Sequence, residues 1–401
     1  MKEWVEQEIG QILTLNYGWS LPEKKRTFGD FPVYGSNGIV GSHSMPLVKT
    51  KGLIVGRKGS AGNVHYSRKP FCPIDTTFFI TQDDTSLNIE FLFFLLIHAN
   101  LKRLLGDVGV PGLNRDVAYK EKIKYPIDFS EQQRIAYVLS VVQTAIEQQE
   151  RLIKLTRELK SALMHKLFTE GLHGEKQKMT EIGLVPESWE VLPLDMCATI
   201  QTGTAKGREI ADDESLELPY LRVANVQDGY LDLAEIKTIK IRANEKERYL
   251  LKKGDVVLTE GGDFDKLGRG FIWQGQIENC IHQNHIFAVR VNLDKLLPAF
   301  FAYQSQSPYG KKYFLSVAHK TSNLACINTA KLKRFPVLVP KLKEQEQITD
   351  ILQTIEIKLR IHARRRNLLE ELFRTLLHQL MTGQTRVNDI DLPGFVSGNE
   401  G

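Results

Sequence analysis

The side chains in this chain best suited to chemistry are polar residues on glycine-rich loops. GRKGSAG (56–62) offers Arg57, Lys58 and Ser60, and PGLNRD (111–116) adds Asn114 and Arg115. Later, LPYLRVANVQDGYL (218–231) carries Arg222 and Asn225, and TEGGDFDKLGRG (259–270) carries Glu260, Asp263, Lys266 and Arg269. Lys320, Ser322 and Asn323 cluster on a further polar loop. Residues of these types recognise rather than react. Arg and Lys address phosphates or guanine edges, Asn and Gln address adenine, and carboxylates accept from cytosine amino groups. Solvated turns with no ligand would read the same way, and Arg222 and Asn225 could equally be structural hydrogen-bonders.

Motifs for catalysis are missing from the sequence. There is no GxxxxGK[ST] phosphate loop, no GxGxxG opening a dinucleotide fold and no HExxH. GRKGSAG has the wrong spacing for either phosphate loop. Cys280, His282 and His285 lie close enough in CIHQNHIF (280–287) to suggest a metal, but the alternation suits a strand better. His165 and His378 sit near the ends of helical segments, where packing or dipole complementation explains them. The chain reads as one that binds without catalysing, holding no cofactor or metal of its own.

Bulk properties narrow the class. At 401 residues, 42% hydrophobic and 25% charged, the chain allows two or three soluble domains. The longest apolar run, Phe91–Ile97, is too short to span a bilayer, and MKEWVEQEIG lacks the apolar stretch of a signal peptide. The four cysteines, Cys72, Cys197, Cys280 and Cys326, show no paired spacing, which suggests a reducing compartment. A cytoplasmic protein is expected. Lys+Arg minus Asp+Glu is 16 − 12 = +4 over 1–127, 6 − 6 = 0 over 128–174, 22 − 21 = +1 over 175–336 and 9 − 9 = 0 over 337–401. The small excess sits outside the helical segments and leans weakly toward a polyanion.

The elements that position the loops announce themselves by repetition. Residues 131–169 align without a gap to 344–382, with 12 of 39 positions identical, among them Glu131/Glu344, Gln132/Gln345, Leu155/Leu368 and Leu159/Leu372. Apolar residues follow alternating 4- and 3-residue steps, from Ile135, Leu139 and Val142 to Leu167 in one copy and from Ile348, Leu352 and Ile355 to Leu380 in the other. That is a coiled-coil seam, about 58 Å long at 1.5 Å per residue. Gly171 and Gly383 supply the stops. Where one copy is polar mid-seam the other is often apolar, as in Lys160/Phe373, so the copies are expected to pair with each other, antiparallel, about a two-fold axis. Packing of each helix on its own module is the alternative.

Between the helices lie two diverged modules with shared landmarks. Trp4 and Gly18 match Trp189 and Gly203, KGLIVGRKG (51–59) matches KGDVVLTEGG (253–262), and CPIDTTFF (72–79) matches CIHQNHIF. The expected fold is α+β: two duplicated mixed modules separated by two long helices in an antiparallel coiled coil with pseudo-two-fold symmetry. Expected boundaries are 1–127 for the first module, 128–172 for the first helix, 173–336 for the second module, 337–385 for the second helix and 386–401 for a tail.

These stretches, together with FPVYGSNGIVGSH (31–43), PESWEVLPL (186–194), LTEGGDFDKLGRGFIW (258–273), EQQRIAYVL (131–139), EQEQITDIL (344–352) and HQLMTG (378–383), resemble the specificity subunits of type I restriction–modification systems over nearly the whole chain. The resemblance implies two target recognition domains, each reading half of a split sequence in double-stranded DNA. It implies a helical spacer that sets the gap and docks modification (methyltransferase) subunits. S-adenosylmethionine, ATP and magnesium would belong to partners, including a restriction subunit. Rival readings are a specificity protein of another DNA-modification or defence system, a two-module scaffold that binds proteins, and an unrecognised nuclease.

Overall fold

The computed structural model of the chain describes residues 4–105, 112–181, 183–207, 210–211, 214–264, 267–320, 325–387 and 392. Two long helices dominate the element order, Phe129–Glu170 and Leu342–Thr382. Both stop at a glycine in left-handed conformation, Gly171 at φ 67° and Gly383 at φ 72°, where a side chain would be strained. Contact density divides the chain in the middle of each helix rather than at its start. One unit holds residues up to Arg151 together with those from Ala363 onward; the other runs Leu152–His362.

In the first unit, Trp4–Glu8 pairs antiparallel with Lys122–Pro126. A four-stranded sheet runs in the order Asn16–Tyr17, Thr77–Ile80, Gly52–Gly56, Val64–Ser67. A three-stranded sheet runs Gly38–His43, Phe31–Gly35, Cys72–Pro73, its last pair parallel. Gly52–Gly56 is buried throughout, as its unbroken apolar run requires. Against this sheet lies the helix Ile89–Ala99, whose N-cap Asn88 accepts from the backbone N–H groups of Glu90 and Phe91. Leu53, Val55, Phe78, Phe91 and Leu92 form the core, and it also takes Ile135, Ala136 and Leu139 from the first long helix and Leu380 and Met381 from the second.

The second unit repeats this plan. Glu190–Pro193 pairs antiparallel with Pro336–Val339. The four-stranded sheet runs Ala198–Thr202, Ile286–Val291, Val256–Thr259, Gly270–Ile272, and the three-stranded one runs Lys237–Arg242, Ser215–Leu221, Ile281–His282, again with a parallel last pair. The helix Pro298–Gln306 stands where Ile89–Ala99 stood. Additions are the hairpin Gln177–Thr180/Gly183–Pro186 and a small ladder at Val226–Gln227/Tyr230–Leu231, while Gly261–Gly262/Ala325–Cys326 extends what is a single bridge, Lys58 to Gly112, in the first unit. Within this unit the long helices run in opposite directions. Lys160 Nζ lies 2.8 Å from Glu356 Oε1, while just past the end of the first helix and earlier in the second, the Leu172 backbone N–H donates to Glu344 Oε1 at 3.1 Å.

Several repeated residues now have reasons. A Cβ on Gly18 would fall 2.2 Å from Ile74 O, and one on Gly203 2.0 Å from His282 O, so both positions demand glycine. The repeated glutamines are clamps. Gln132 accepts from Asn88 N at 2.9 Å and donates to Pro126 O at 2.9 Å. Gln345 accepts from Leu297 N at 2.8 Å and donates to Lys295 O and Pro340 O at 2.8 and 2.9 Å. One expectation is corrected: CIHQNHIF is not one strand. It divides into Ile281–His282 and Ile286–Val291, which join different sheets, because Ile286 N turns back to Gln283 O at 2.9 Å. CPIDTTFF breaks the same way, with Thr77 N on Ile74 O.

Candidate nucleic-acid interface

The glycine-rich loop of the first unit is a tight turn. Gly62 N donates to Gly56 O at 2.8 Å, and a Cβ on Gly56 would meet Ser60 O at 2.4 Å. Arg57 leaves this turn with Nε and Nη2 on Asp75 O, at 3.2 and 2.6 Å, and its guanidinium lies 5.4 Å from the Tyr17 ring centroid. Arg115 approaches the same ring at 5.0 Å, and its Nε is buried without a partner among the described residues. Lys58 is exposed, and Ser60 Oγ reaches Asn37 Oδ1 at 3.4 Å. Thus Arg57 and Arg115 come together on Tyr17, and Lys58 and Ser60 lie on the same turn as Arg57. Asn114 does not present a free amide: its Oδ1 caps the helix Arg115–Tyr119 by accepting from Asp116 N and Val117 N.

Basic residues concentrate in the sequence that contains this turn. Over 17–69 there are 9 Lys and Arg against 2 Asp and Glu, so this stretch carries more than the whole module's excess. Lys24, Lys25, Lys49, Lys51, Lys58, Arg68 and Lys69 are exposed in this stretch, as are Tyr17, Trp19 and Phe28. Cations interleaved with aromatic faces suit a strand of phosphates and bases.

In the second unit the predicted residues divide. Asn225 is a core residue at 3% exposure, with Nδ2 on Asp232 O and Glu235 O and Oδ1 accepting from Arg222 N. Arg222 in turn holds Glu235, through its backbone O at 3.0 Å and Oε2 at 3.4 Å; the guanidinium depresses the Glu235 carboxyl below its ordinary range. Both therefore hold the loop by hydrogen bonds within the unit, the structural alternative the sequence also allowed. Glu260 follows its strand as Arg57 follows the equivalent one, with Oε2 2.7 Å from His285 Nδ1. Asp263 is exposed, and Arg269 donates from Nη1 to Gln227 Oε1 at 3.1 Å. Lys266, Ser322 and Asn323 lie outside the described residues, and Lys320 is described only through its backbone in the strand His319–Lys320. Lys237–Lys253 carries 7 basic residues against 2 acidic, starting on the edge strand Lys237–Arg242.

Sequence reasoning passed over Tyr17 and this basic edge strand, and weighed His285 only as a metal ligand. A charge count in short windows would have found the edge strand. Tyr17 and His285 required knowing which loops meet. His282 is fully buried, with Nδ1 3.2 Å from Tyr249 O and Nε2 3.4 Å from Gln201 O. Burial lowers its pKa to about 4. Cys280, also buried, has its thiol pushed up to about 12. Among the described residues no group of three or more His, Cys, Asp or Glu is arranged to hold a metal, and no helix is long and apolar enough to cross a membrane.

Comparison with known proteins fits this two-unit plan. The family model described as type I restriction modification DNA specificity domain matches residues 1–157 and 186–371. The chain is 26% identical over 349 residues to the type I restriction enzyme MjaVIII specificity subunit of Methanocaldococcus jannaschii, covering 84% of this chain and 80% of that protein. It is 26% identical over 184 residues to the EcoKI specificity subunit of Escherichia coli (strain K12), covering 43% of this chain and 39% of that one. Other curated relatives are likewise matched over less than half of their length. In fold it is similar to the crystal structure of a type I restriction–modification S subunit from M. genitalium, with TM-score 0.63 and 17% identity, covering 94% of this chain and 96% of that one.

Proposed function

The chain belongs to the type I restriction modification DNA specificity family, and from that premise we propose that it is the sequence-reading subunit of such a complex. Each unit reads one half of a split target in duplex DNA. The observation that carries this is one strand order built twice in one chain, with loops of different chemistry at the same place on each copy. A preserved framework with diverged loops is what two readers of different half-sites require.

The long helices then set the gap between half-sites and dock the modification subunits. Leu155 and Leu159 of the first helix are about half exposed, and so are their repeats Leu368 and Leu372 in the second. Exposed leucines repeated on both helices support two equivalent docking places for two copies of one partner. The specificity subunits that this chain is similar to support a non-catalytic role. Partners supply S-adenosylmethionine for methylation, and a restriction subunit supplies ATP-driven, magnesium-dependent cleavage. The setting is the cytoplasm.

The test replaces residues 1–127 by the first module of another family member and reads the methylated motif in a host carrying the modification subunits. One half-site should change and the other persist. An unaltered motif refutes the proposal. Binding of the complex should also weaken steeply with salt as condensed cations are released from DNA; a shallow dependence would favour a protein-binding scaffold.

A further inference from the structure

Superposing the two strand orders makes Arg57 and Glu260 the same position. Tyr17 pairs with Phe78 and Thr202 with Phe287; counting along the ladders puts Gly56 opposite Thr77 and Thr259 opposite Ile286. The next residue in each case is Arg57 or Glu260. Their backbones agree in detail. Arg57 N donates to Thr76 O and Glu260 N to His285 O; Arg57 O accepts from Leu113 N and Glu260 O from Ile327 N, all at 2.8–2.9 Å. Asn114 and Asn328, the residues that follow, both cap short helices.

On this shared backbone the side chains have opposite polarity, and both are braced. Arg57 is fixed by Asp75 O and the Tyr17 ring, and its Nη1 remains open among the described residues. It can only donate, and Arg115 on the same ring adds a second cation. Glu260 is fixed by His285 through Oε2, leaving Oε1 open, and His285 is 57% exposed. An open carboxylate acceptor therefore stands where the other unit has donors.

We infer that this position is a specificity determinant in both units: Arg57 reads an acceptor edge, that of guanine, and the Glu260–His285 pair reads an exocyclic amino group, of cytosine or adenine. The inference rests on the DNA-reading function proposed above and assigns its polarity. Braced side chains lose little freedom on binding, so they discriminate rather than merely attract.

The experiment selects targets from a pool of randomised duplexes with the complex of this chain and its modification subunits. Glu260→Gln and His285→Gln should relax the same single position of one half-site by roughly 5- to 150-fold and leave the other half-site unchanged. Arg57→Lys should do the converse. Near-isosteric changes on exposed loops keep the fold, which a thermal melt of each variant verifies. Variant motifs identical to wild type overturn the inference, as does a loss that is uniform over all sequences, because that is the mark of a phosphate contact. A wild-type complex that selects no split motif refutes the proposed function and this inference with it.

Discussion

Gln345→Ala tests whether the repeated glutamines clamp the helix starts. Gln345 is wholly buried and makes three hydrogen bonds, one from Leu297 N and two to the carbonyls of Lys295 and Pro340. Leu297 is the N-cap of Pro298–Gln306, so the lost acceptor strands a donor at a helix entrance. An unsatisfied buried group costs about 1–3 kcal/mol. One donor and two carbonyls, the latter at the low end, give about 3–4 kcal/mol. Hydrogen exchange in peptides covering Pro298–Gln306 and the start of Leu342–Thr382 should then accelerate by about 10² to 10³, at 1.4 kcal/mol per tenfold. Glu346→Ala, one residue along on the exposed face, is the control and should change little. Gln132→Ala should loosen Ile89–Ala99 instead, leaving the second unit's peptides as they were. Acceleration below tenfold in Gln345→Ala, or equal to that in Glu346→Ala, would refute the clamp.

Other outcomes follow from the same contacts. Since the folded-state pKa of His282 lies near 4, below its ordinary 6.5, stability is full above about 6.5 and is lost as pH falls from there to about 4. The loss approaches about 3 kcal/mol, and His282→Asn should flatten the wild-type slope of unfolding free energy across that window whatever its absolute stability. Of the four cysteines, Cys326 is exposed and the others are buried, so a thiol reagent should label one site rapidly in native protein and four after denaturation. Glu356→Gln weakens the contact to Lys160 Nζ and retains a partner for Tyr303 OH, so urea unfolding should show a loss of about 1 kcal/mol, against 3 kcal/mol or more for Glu356→Leu. Replacing Leu155 and Leu159 by Ser should weaken capture of modification subunits while leaving the thermal melt unchanged; unchanged capture would count against docking there.

How much of this was legible in the sequence depended on range. The long helices were readable because their period, their repeat and their glycine stops are all local. Ile135, Leu139 and Val142 are buried and Val141 and Leu155 exposed, as the apolar period required, with Ile135 and Leu139 in the core of the first unit. The order of strands two to seven residues long was not readable, because pairing such as Phe31–Gly35 with Cys72–Pro73 is decided by chain closure over 40 residues. Polar loop residues misled for a related reason. Asn114 and Asn225 carry the amide a base reader would need, yet helix caps and buried carbonyls want the same group. What separates Arg57 and Glu260 from them is an open donor or acceptor, and that depends on residues 75 and 285 arriving alongside.

Neither long helix belongs to one unit, and this reverses the order in which the halves of the protein are completed at the ribosome. Everything the second unit needs lies between Leu152 and His362. The first is different: Leu139 shares its core with Leu380, 241 residues later (380 − 139). At synthesis rates of about 5–20 residues per second, that interval lasts roughly 12–48 s. Through it the earlier-born half waits with an unfilled apolar groove, and the half born later finishes ahead of it. A nascent chain of this kind needs protection most after its first unit has already emerged.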